Sequence, residues 1–306
     1  MTWDVIGVGA SCVDHVCRLP VFPQAGTALS KVRLRSESRA CGGQTATALA
    51  TCRNFGLTAK YVGVVGSDED GARICRDLVA RGVDVSDVAR HPDAPTATAT
   101  LLIDDEGDRI VLWHRDPRLA LDPAALPARA LESARLVHVD DVDEPAAIEA
   151  ARIASNAGVP TTCDVDHLTS RMDEFLSLIS VPIFAEHVPE QLTGQADLEQ
   201  ALRALRARHG GLLVVTLGPR GAAALDGDTF HWQPAFAVET VDTTGAGDVF
   251  RGGFIYAFLS GFPTAEALRF GNAAAAASCT RLGAMGGVPT LGEALEFLEN
   301  GQIRPV

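Results

Sequence analysis

The sequence predicts an α/β fold in which helices cover a largely parallel sheet. Strand-like apolar runs alternate with long amphipathic segments from one end of the 306 residues to the other. With 47% hydrophobic residues, 21% charged residues and no low-complexity tract, the chain can bury a large core. The runs at 5–9, 59–65, 135–139, 160–165, 181–184 and 212–217 read as strands. The segments near 68–81, 145–157, 196–209, 246–260, 264–282 and 291–299 read as helices. Gly82 and Gly158 stand where helix C-caps belong, and Asp143 precedes Pro145 as an N-cap would. No repeat or linker interrupts the pattern, so a single domain over 1–306 is expected.

Two stretches break the alternation. Residues 96–115 hold two β-prone runs around the acidic turn Asp104-Asp105-Glu106-Gly107, which predicts a β-hairpin. Residues 14–40 contain two prolines and a polar strand over 29–36, with no helix signal.

Composition excludes several function classes. A net charge of −13 and a pI near 5.0 argue against nucleic acid or an anionic membrane surface, both of which reward basic patches. No run approaches the length of a membrane span, and the start lacks the basic region and apolar core of a signal peptide. The cysteines (Cys12, Cys17, Cys41, Cys52, Cys75, Cys163, Cys279) are scattered, with no C-x-x-C pair and no zinc-like spacing, so a reducing cytoplasm is expected. The histidines form no H-x-H or H-E-x-x-H cluster and read as surface or packing residues.

The chemistry concentrates in Asp242-Thr243-Thr244-Gly245-Ala246-Gly247-Asp248-Val249-Phe250. This stretch ends a turn and opens a strongly apolar helix with a carboxylate in its first turn. Gly245, Ala246 and Gly247 let the backbone approach a ligand closely, and the first amides of a helix have no partners within it. Those amides and the helix dipole suit phosphate oxygens or developing negative charge. Asp248 stands where an incoming hydroxyl could hand over its proton, which is phosphoryl-transfer chemistry. Its position at a helix N-terminus predicts a lowered pKa and a weak base, sufficient where the proton leaves late. The competing reading is a tight turn whose aspartate complements the dipole.

These residues, with Arg251-Gly252-Gly253, resemble the C-terminal signature of the PfkB family, the ribokinase-like carbohydrate kinases. The resemblance runs from about residue 4 to 290. It implies a three-layer sandwich with a small β-sheet lid built from 14–40 and 96–115, closing over a sugar and serving as the surface of a homodimer. It also implies ATP and Mg²⁺, with Asp248 as catalytic base and Gly245, Ala246 and Gly247 as the anion hole.

At the substrate end, Gly7-Val8-Gly9-Ala10-Ser11-Cys12 approaches G-x-G-x-x-G, but the third position is Cys12 and no helix follows. The resemblance instead makes Asp14 the carboxylate that grips sugar hydroxyls. Cys41-Gly42-Gly43-Gln44-Thr45-Ala46-Thr47 resembles the family's N-terminal signature, a glycine turn running into a small-residue helix. Gly42 and Gly43 would admit the sugar, with Gln44 and Thr47 where the family often has asparagines. Thr47 keeps a hydroxyl but loses a two-headed amide, so the pattern offered to a sugar changes. Local wording at 79–86 and 266–271 is similar to the ketohexokinase and fructokinase branch. Asp140, Asp141, Asp143 and Glu144 follow a strand and read either as solvated capping residues or as sugar contacts.

At the nucleotide end, Thr216-Leu217-Gly218-Pro219-Arg220-Gly221 is a strand end and a glycine-bounded turn, readable as a plain hairpin. The resemblance makes Thr216 and Gly218 phosphate or ribose contacts, lets Gly221 permit the turn, and puts Asn272 near adenine. No G-x-x-x-x-G-K-[ST] loop is present. The family's N-x-x-E motif for Mg²⁺ is replaced by Ala185-Glu186-His187-Val188, leaving Glu186 as a substitute. Asp242 and Thr244, with carbonyls from 281–287, match the family's monovalent-cation loop, which implies K⁺.

The expected function is ATP-dependent phosphorylation of a hydroxymethyl group of a small sugar, ketohexose- or ribose-like. A nucleoside kinase of the same fold would need aromatic stacking, and with 6% aromatics and none in 42–50 the sequence leans away from it. The altered 185–188 segment motivates a third reading, a sugar- or nucleotide-binding regulator without turnover.

Overall fold

The computed structural model describes residues 2–106 and 108–304. In chain order the strands are β1 (Val5–Val8), β2 (Cys12–Arg18), β3 (Ser36–Gly42), β4 (Ala59–Val62), β5 (Val64–Gly66), β6 (Ala89–His91) and β7 (Thr98–Ile103). They continue as β8 (Arg109–His114), β9 (Leu136–Asp140), β10 (Thr161–Val165), β11 (Val181–Ala185), β12 (Leu213–Thr216), β13 (Ala222–Asp226) and β14 (Thr229–Gln233). The helices are α1 (Gln44–Asn54), α2 (Glu69–Ala80), α3 (Ala128–Leu131), α4 (Glu144–Asn156), α5 (Met172–Ser177) and α6 (Val188–Thr193). They end with α7 (Leu198–Arg206), α8 (Ala246–Leu259), α9 (Thr264–Ser278), α10 (Ala284–Gly287) and α11 (Leu291–Asn300).

Eight strands form the central sheet in the order β14-β13-β12-β11-β10-β9-β1-β4. All neighbours from β12 to β4 are parallel, and β13 and β14 add an antiparallel edge. Parallel strands are buried on both faces, so their sequences are nearly continuous apolar runs. One core packs the sheet against α4, α5 and α7 and holds Val137, Val139, Ile148, Phe175 and Leu202. The other face lies under α1, α2, α8 and α9, with Leu49, Tyr61, Phe250, Phe254 and Phe270. Helices on both faces of a mainly parallel sheet make a three-layer α/β sandwich, as predicted. A separate four-stranded sheet, β3-β2-β7-β8, carries the predicted hairpin as β7 and β8.

Several local expectations are corrected. Residues 29–36 do not form a strand. Ala28–Ser30 is a 3₁₀ turn, and the strand lies later, at Ser36–Gly42. Pairing with β2 puts Cys41 and Gly42 in the interior opposite Val13 and Cys12, whereas Leu29 and Leu34 stay exposed and would bury nothing. The run at 59–65 splits at Gly63, where a Cβ would lie 2.2 Å from the Tyr61 hydroxyl and 2.8 Å from the Gly9 carbonyl. Beyond that close approach β5 leaves the central sheet and pairs with β6. The helix predicted over 264–282 stops at Ser278. Gly82 and Gly158 do have the left-handed conformation of C-caps. Asp143 stands at the N-cap of α4 without capping it, because its carboxylate accepts instead from Arg115, 2.6 Å away.

β1 leads through the small sheet to β4 on one side, and β9 opens the rest of the sheet on the other. The carboxyl ends of neighbouring β1 and β9 therefore diverge at a topological switch point, where open α/β sheets hold their ligands.

Candidate active site

Two clefts of ≈ 520 Å³ each meet at the start of α8. Asp14, Gly43, Gln44, Thr244, Gly245 and Asp248 belong to the first cleft, which lies between the switch point and the small sheet. Thr216, Gly218, Gly221, Thr243, Ala246, Gly247 and Asn272 belong to the second. The loop 243–248 is thus a shared wall, with Asp248 on one side and Ala246 and Gly247 on the other. Only Gly fits at 245, which has φ 76°, and a Cβ there would lie 2.8 Å from Ala284. Asp242 fixes the loop: its Oδ1 accepts from the Thr244 amide at 2.8 Å and hydroxyl at 2.6 Å, and its Oδ2 accepts from the Gly283 amide at 2.8 Å.

Asp14 sits on β2 with a nearly buried side chain whose Oδ1 accepts from the Cys12 thiol at 3.3 Å. Burial pushes its carboxyl up to about 6, the Cys12 hydrogen bond opposing this and the Asp242 charge adding to it. Gly42 makes room for Asp14: a Cβ at 42 would lie 2.3 Å from Asp14 Oδ2. Gly43, at φ 103°, brings the start of α1 against the Ser11 and Ala10 backbone. The glycine pair therefore seats this carboxylate and this helix, and of the two only Gly43 reaches the cleft wall. Gln44 reaches it as well. Thr47 does not, being fully buried in α1 with its hydroxyl unpartnered among the described residues.

Asp248 is half-buried at the foot of the first cleft. Loss of water pushes its carboxyl up to about 7, Arg251 pulling it down and Asp14 and Asp140 pushing it further up. This reverses the lowered pKa expected of a helix N-terminus, since desolvation beside two other carboxylates outweighs the dipole. Asp140, fully buried, accepts from the Ala10 amide at 2.6 Å and the Thr45 hydroxyl at 2.7 Å. Asp141 accepts from the amides of Asp166 and His167 at 2.8 and 2.7 Å. These two acids are therefore not solvated caps: they staple the loops that follow β1, β9 and β10.

In the second cleft the turn after β12 is indeed a hairpin, because β13 returns antiparallel. It is also cleft wall, through Thr216, Gly218 and Gly221. A Cβ at Gly221, which has φ 97°, would lie 2.0 Å from the Gln233 carbonyl. Asn272, in the cleft wall, donates from Nδ2 to the carbonyls of Gln233 and Pro234 at 2.9 and 3.2 Å.

The family description "pfkB family carbohydrate kinase" matches residues 9–291 of this chain. The chain belongs to that family. This kinase is 29% identical to the ribokinase of Haemophilus influenzae, over 96% of this chain and 97% of the relative. It is 30% identical to an ATP-dependent ribose-1-phosphate kinase of Halopiger xanaduensis, over 96% and 97%. A crystal structure of a ribokinase candidate from Agrobacterium tumefaciens superposes with a TM-score of 0.90 at 30% identity, covering 97% of this chain and 98% of that one.

Glu186, the expected substitute for the lost magnesium motif, lies apart from both clefts. Its carboxylate is paired with Arg220 and faces a third cavity beside His187 and Leu217. No carboxylate lines the second cleft among the described residues, so the residues present do not form a magnesium cage.

Residue-by-residue reading missed three charged groups. Arg109, at the start of β8, lines both clefts and donates to the Thr243 hydroxyl at 3.0 Å. Asp164 and Arg251 form a buried ion pair under the loop. An aspartate inside a parallel strand and an arginine in an apolar helix were the available signals, since neither is buried without a partner.

Proposed function

We propose that this kinase transfers the γ-phosphoryl group of ATP to a hydroxymethyl group of a small ribose- or ketohexose-like sugar, with Asp248 as base. The observation that carries this reading is the shared wall: Asp248 lines one cleft while Ala246 and Gly247, the two residues before it, line the other. A sugar held by Asp14 in the first cleft would present a hydroxyl to Asp248. The hydroxyl oxygen bonds to the γ-phosphorus as the bond to the β-phosphate oxygen breaks; the proton passes to Asp248, and ADP leaves. The Gly245 and Gly247 amides would hold the transferring group, the Ala246 amide being engaged with the Thr243 carbonyl at 3.2 Å, and Arg109 adds a cation where the clefts join.

Mg²⁺ is expected with the nucleotide, because charge on the β- and γ-phosphates needs neutralising. It would arrive held by those phosphates and water rather than by carboxylates of the cleft. K⁺ remains assigned to Asp242 and Thr244, whose loop the Gly283 bond joins to the 281–287 turn.

We assign the lid to the four-stranded sheet, the homodimer surface to its outer face, the domain to the whole of 1–306, and the location to the cytoplasm. Seven free thiols and the absence of a helix able to cross a membrane among the described residues support the last. One observation favours a nucleoside as second acceptor class: Trp113, 71% exposed, lines the first cleft and offers a stacking face.

The test is ADP release with Mg-ATP and K⁺ across ribose, fructose, other sugars, polyols and nucleosides, with calorimetric binding measured alongside. Sugar-dependent release that falls about 10²–10⁴-fold in Asp248→Asn, with sugar affinity retained, is the expected result. Binding of sugar and ATP without turnover on any acceptor would overturn it in favour of a regulator.

A further inference from the structure

Beneath the shared loop lies a polar cluster that an α/β core does not need. His138 and Asp140 of β9, Thr162 and Asp164 of β10 and Arg251 of α8 are all buried on the same side of the sheet, His138 pairing in register with Thr162 and Asp140 with Asp164. Asp164 and Arg251 form an ion pair with side chains 2% and 6% exposed. Arg251 Nε, His138 Nε2 and Asp164 Oδ1 find no hydrogen-bond partner among the described residues, so the Asp164–Arg251 contact is one of charge rather than a well-aligned hydrogen bond. His138 Nδ1 meets the Thr162 hydroxyl at 2.9 Å, and burial, then Arg251, hold the imidazole well below its ordinary pKa and so neutral.

A buried ion pair is a poor way to stabilise a fold, because apolar residues of the same volume do as well or better. Its place suggests another purpose. Arg251 follows Asp248 by three residues, which puts both on one face of α8. Its Nη1 packs so closely under Gly247 that a Cβ there would lie 2.8 Å away.

We propose that the Asp164–Arg251 pair is a positioning device for phosphoryl transfer: Asp164 pins the guanidinium from the sheet, and the guanidinium supports the Gly247 backbone and gives Asp248 a fixed counter-charge. This inference rests on Asp248 being the base. Asp248 is faced by Arg251 on its own helix, Cys12 and Asp14 from β2, Arg109 from β8, Asp140 from β9 and Asp164 from β10. In that acidic setting Arg251 is the strongest influence keeping the carboxylate ionised. Asp164 acts in the opposite sense: burial drives its carboxyl well up against the pull of Arg251, and whatever charge it keeps repels Asp248.

The two partners therefore have opposite signatures. Arg251→Met keeps the side chain's length and removes the charge. It should move the acid limb of the kcat/KM profile upward by about one unit, a tenfold change in proton affinity, with the loss of rate largest near pH 6 and shrinking by pH 9. Asp164→Asn should lower kcat while moving the limb downward, and Arg251→Lys should restore part of the Arg251→Met loss. The carboxyl ¹³C titration of Asp248, assigned through Asp248→Asn, reads the same shifts without turnover. A uniform loss of rate with an unmoved limb and an unmoved titration would make the pair merely structural and overturn the proposal. If Arg251→Met does not fold, Arg251→Lys and Asp164→Asn carry the same comparison. Each variant is measured beside the wild-type protein, so a wild type without turnover counts against the base and a wild-type limb that the variants leave in place counts against the pair.

Discussion

A base at Asp248, as proposed, must lose its own proton before it can take one from a hydroxyl, and burial moves that event toward neutral pH. With its carboxyl at about 7, kcat/KM should rise through an acid limb near neutral pH and level off above pH 8. Asp14, at about 6, titrates beside it and broadens the limb, which a pH–rate profile with a saturable acceptor would resolve. The same shift has a stability consequence. The folded-state pKa lies above the unfolded value of about 3.9, so the folded chain binds more protons between them, and that contribution is lost as pH rises toward 7. Asp248→Asn removes the charge without the shape. Its melting temperature should exceed that of the wild type at pH 8, by on the order of 2–4 °C for each kcal/mol relieved, and match it near pH 4. Thermal scans at the two pH values decide it; equal gaps at both would mean the carboxylate is not strained in the folded state.

The turn between β12 and β13 and the segment that follows β14 wall the second cleft, and one glycine sets their spacing. Gly221 combines a left-handed φ with the Gln233 carbonyl only 2.0 Å from any Cβ, so neither a rotamer nor a small backbone shift accommodates a methyl group. Gln233 also accepts from Asn272, which ties the hairpin to α9. Gly221→Ala should therefore weaken ATP at least tenfold by calorimetry and leave sugar affinity within twofold; equal loss of both ligands would mean general unfolding. Elements of this kind mark how far the sequence could be read. Strands of the parallel sheet announce themselves because burial on both faces demands unbroken apolar runs. The turn 242–248 announces itself because close backbone approach demands small residues. β3 was placed too early because its residues are mostly exposed and carry no hydrophobic pattern, so only pairing with β2 fixes them. Asp164 and Arg251 lie far apart in the chain, and only the fold brings their charges together. Thr47 illustrates the converse, since a hydroxyl beside a signature motif proved to be core.

The small sheet is where the proposed site and the proposed dimer would meet. Along β8 side chains alternate, so Arg109, Val111 and Trp113 line the first cleft while Ile110 and Leu112 point away. Ile110 and Leu112 are 41% and 57% exposed, and β8 ends its sheet with no strand beyond it among the described residues. An apolar outer face on an unpaired edge is the kind of surface that proteins ordinarily blunt with charge or cover with a second chain. On the proposed reading the inner face takes the ligand and the outer face a second copy, and the two functions should separate by mutation. Ile110→Glu with Leu112→Glu should convert a dimer to a monomer in sedimentation equilibrium. Trp113→Ala should leave the dimer intact and raise the KM of the acceptor several-fold. If the lid is held in place by the second copy, the monomer should also show a higher acceptor KM that falls at high protein concentration only in the wild type. A wild type that sediments as a monomer, with acceptor KM independent of protein concentration, would confine β8 to its role in the cleft.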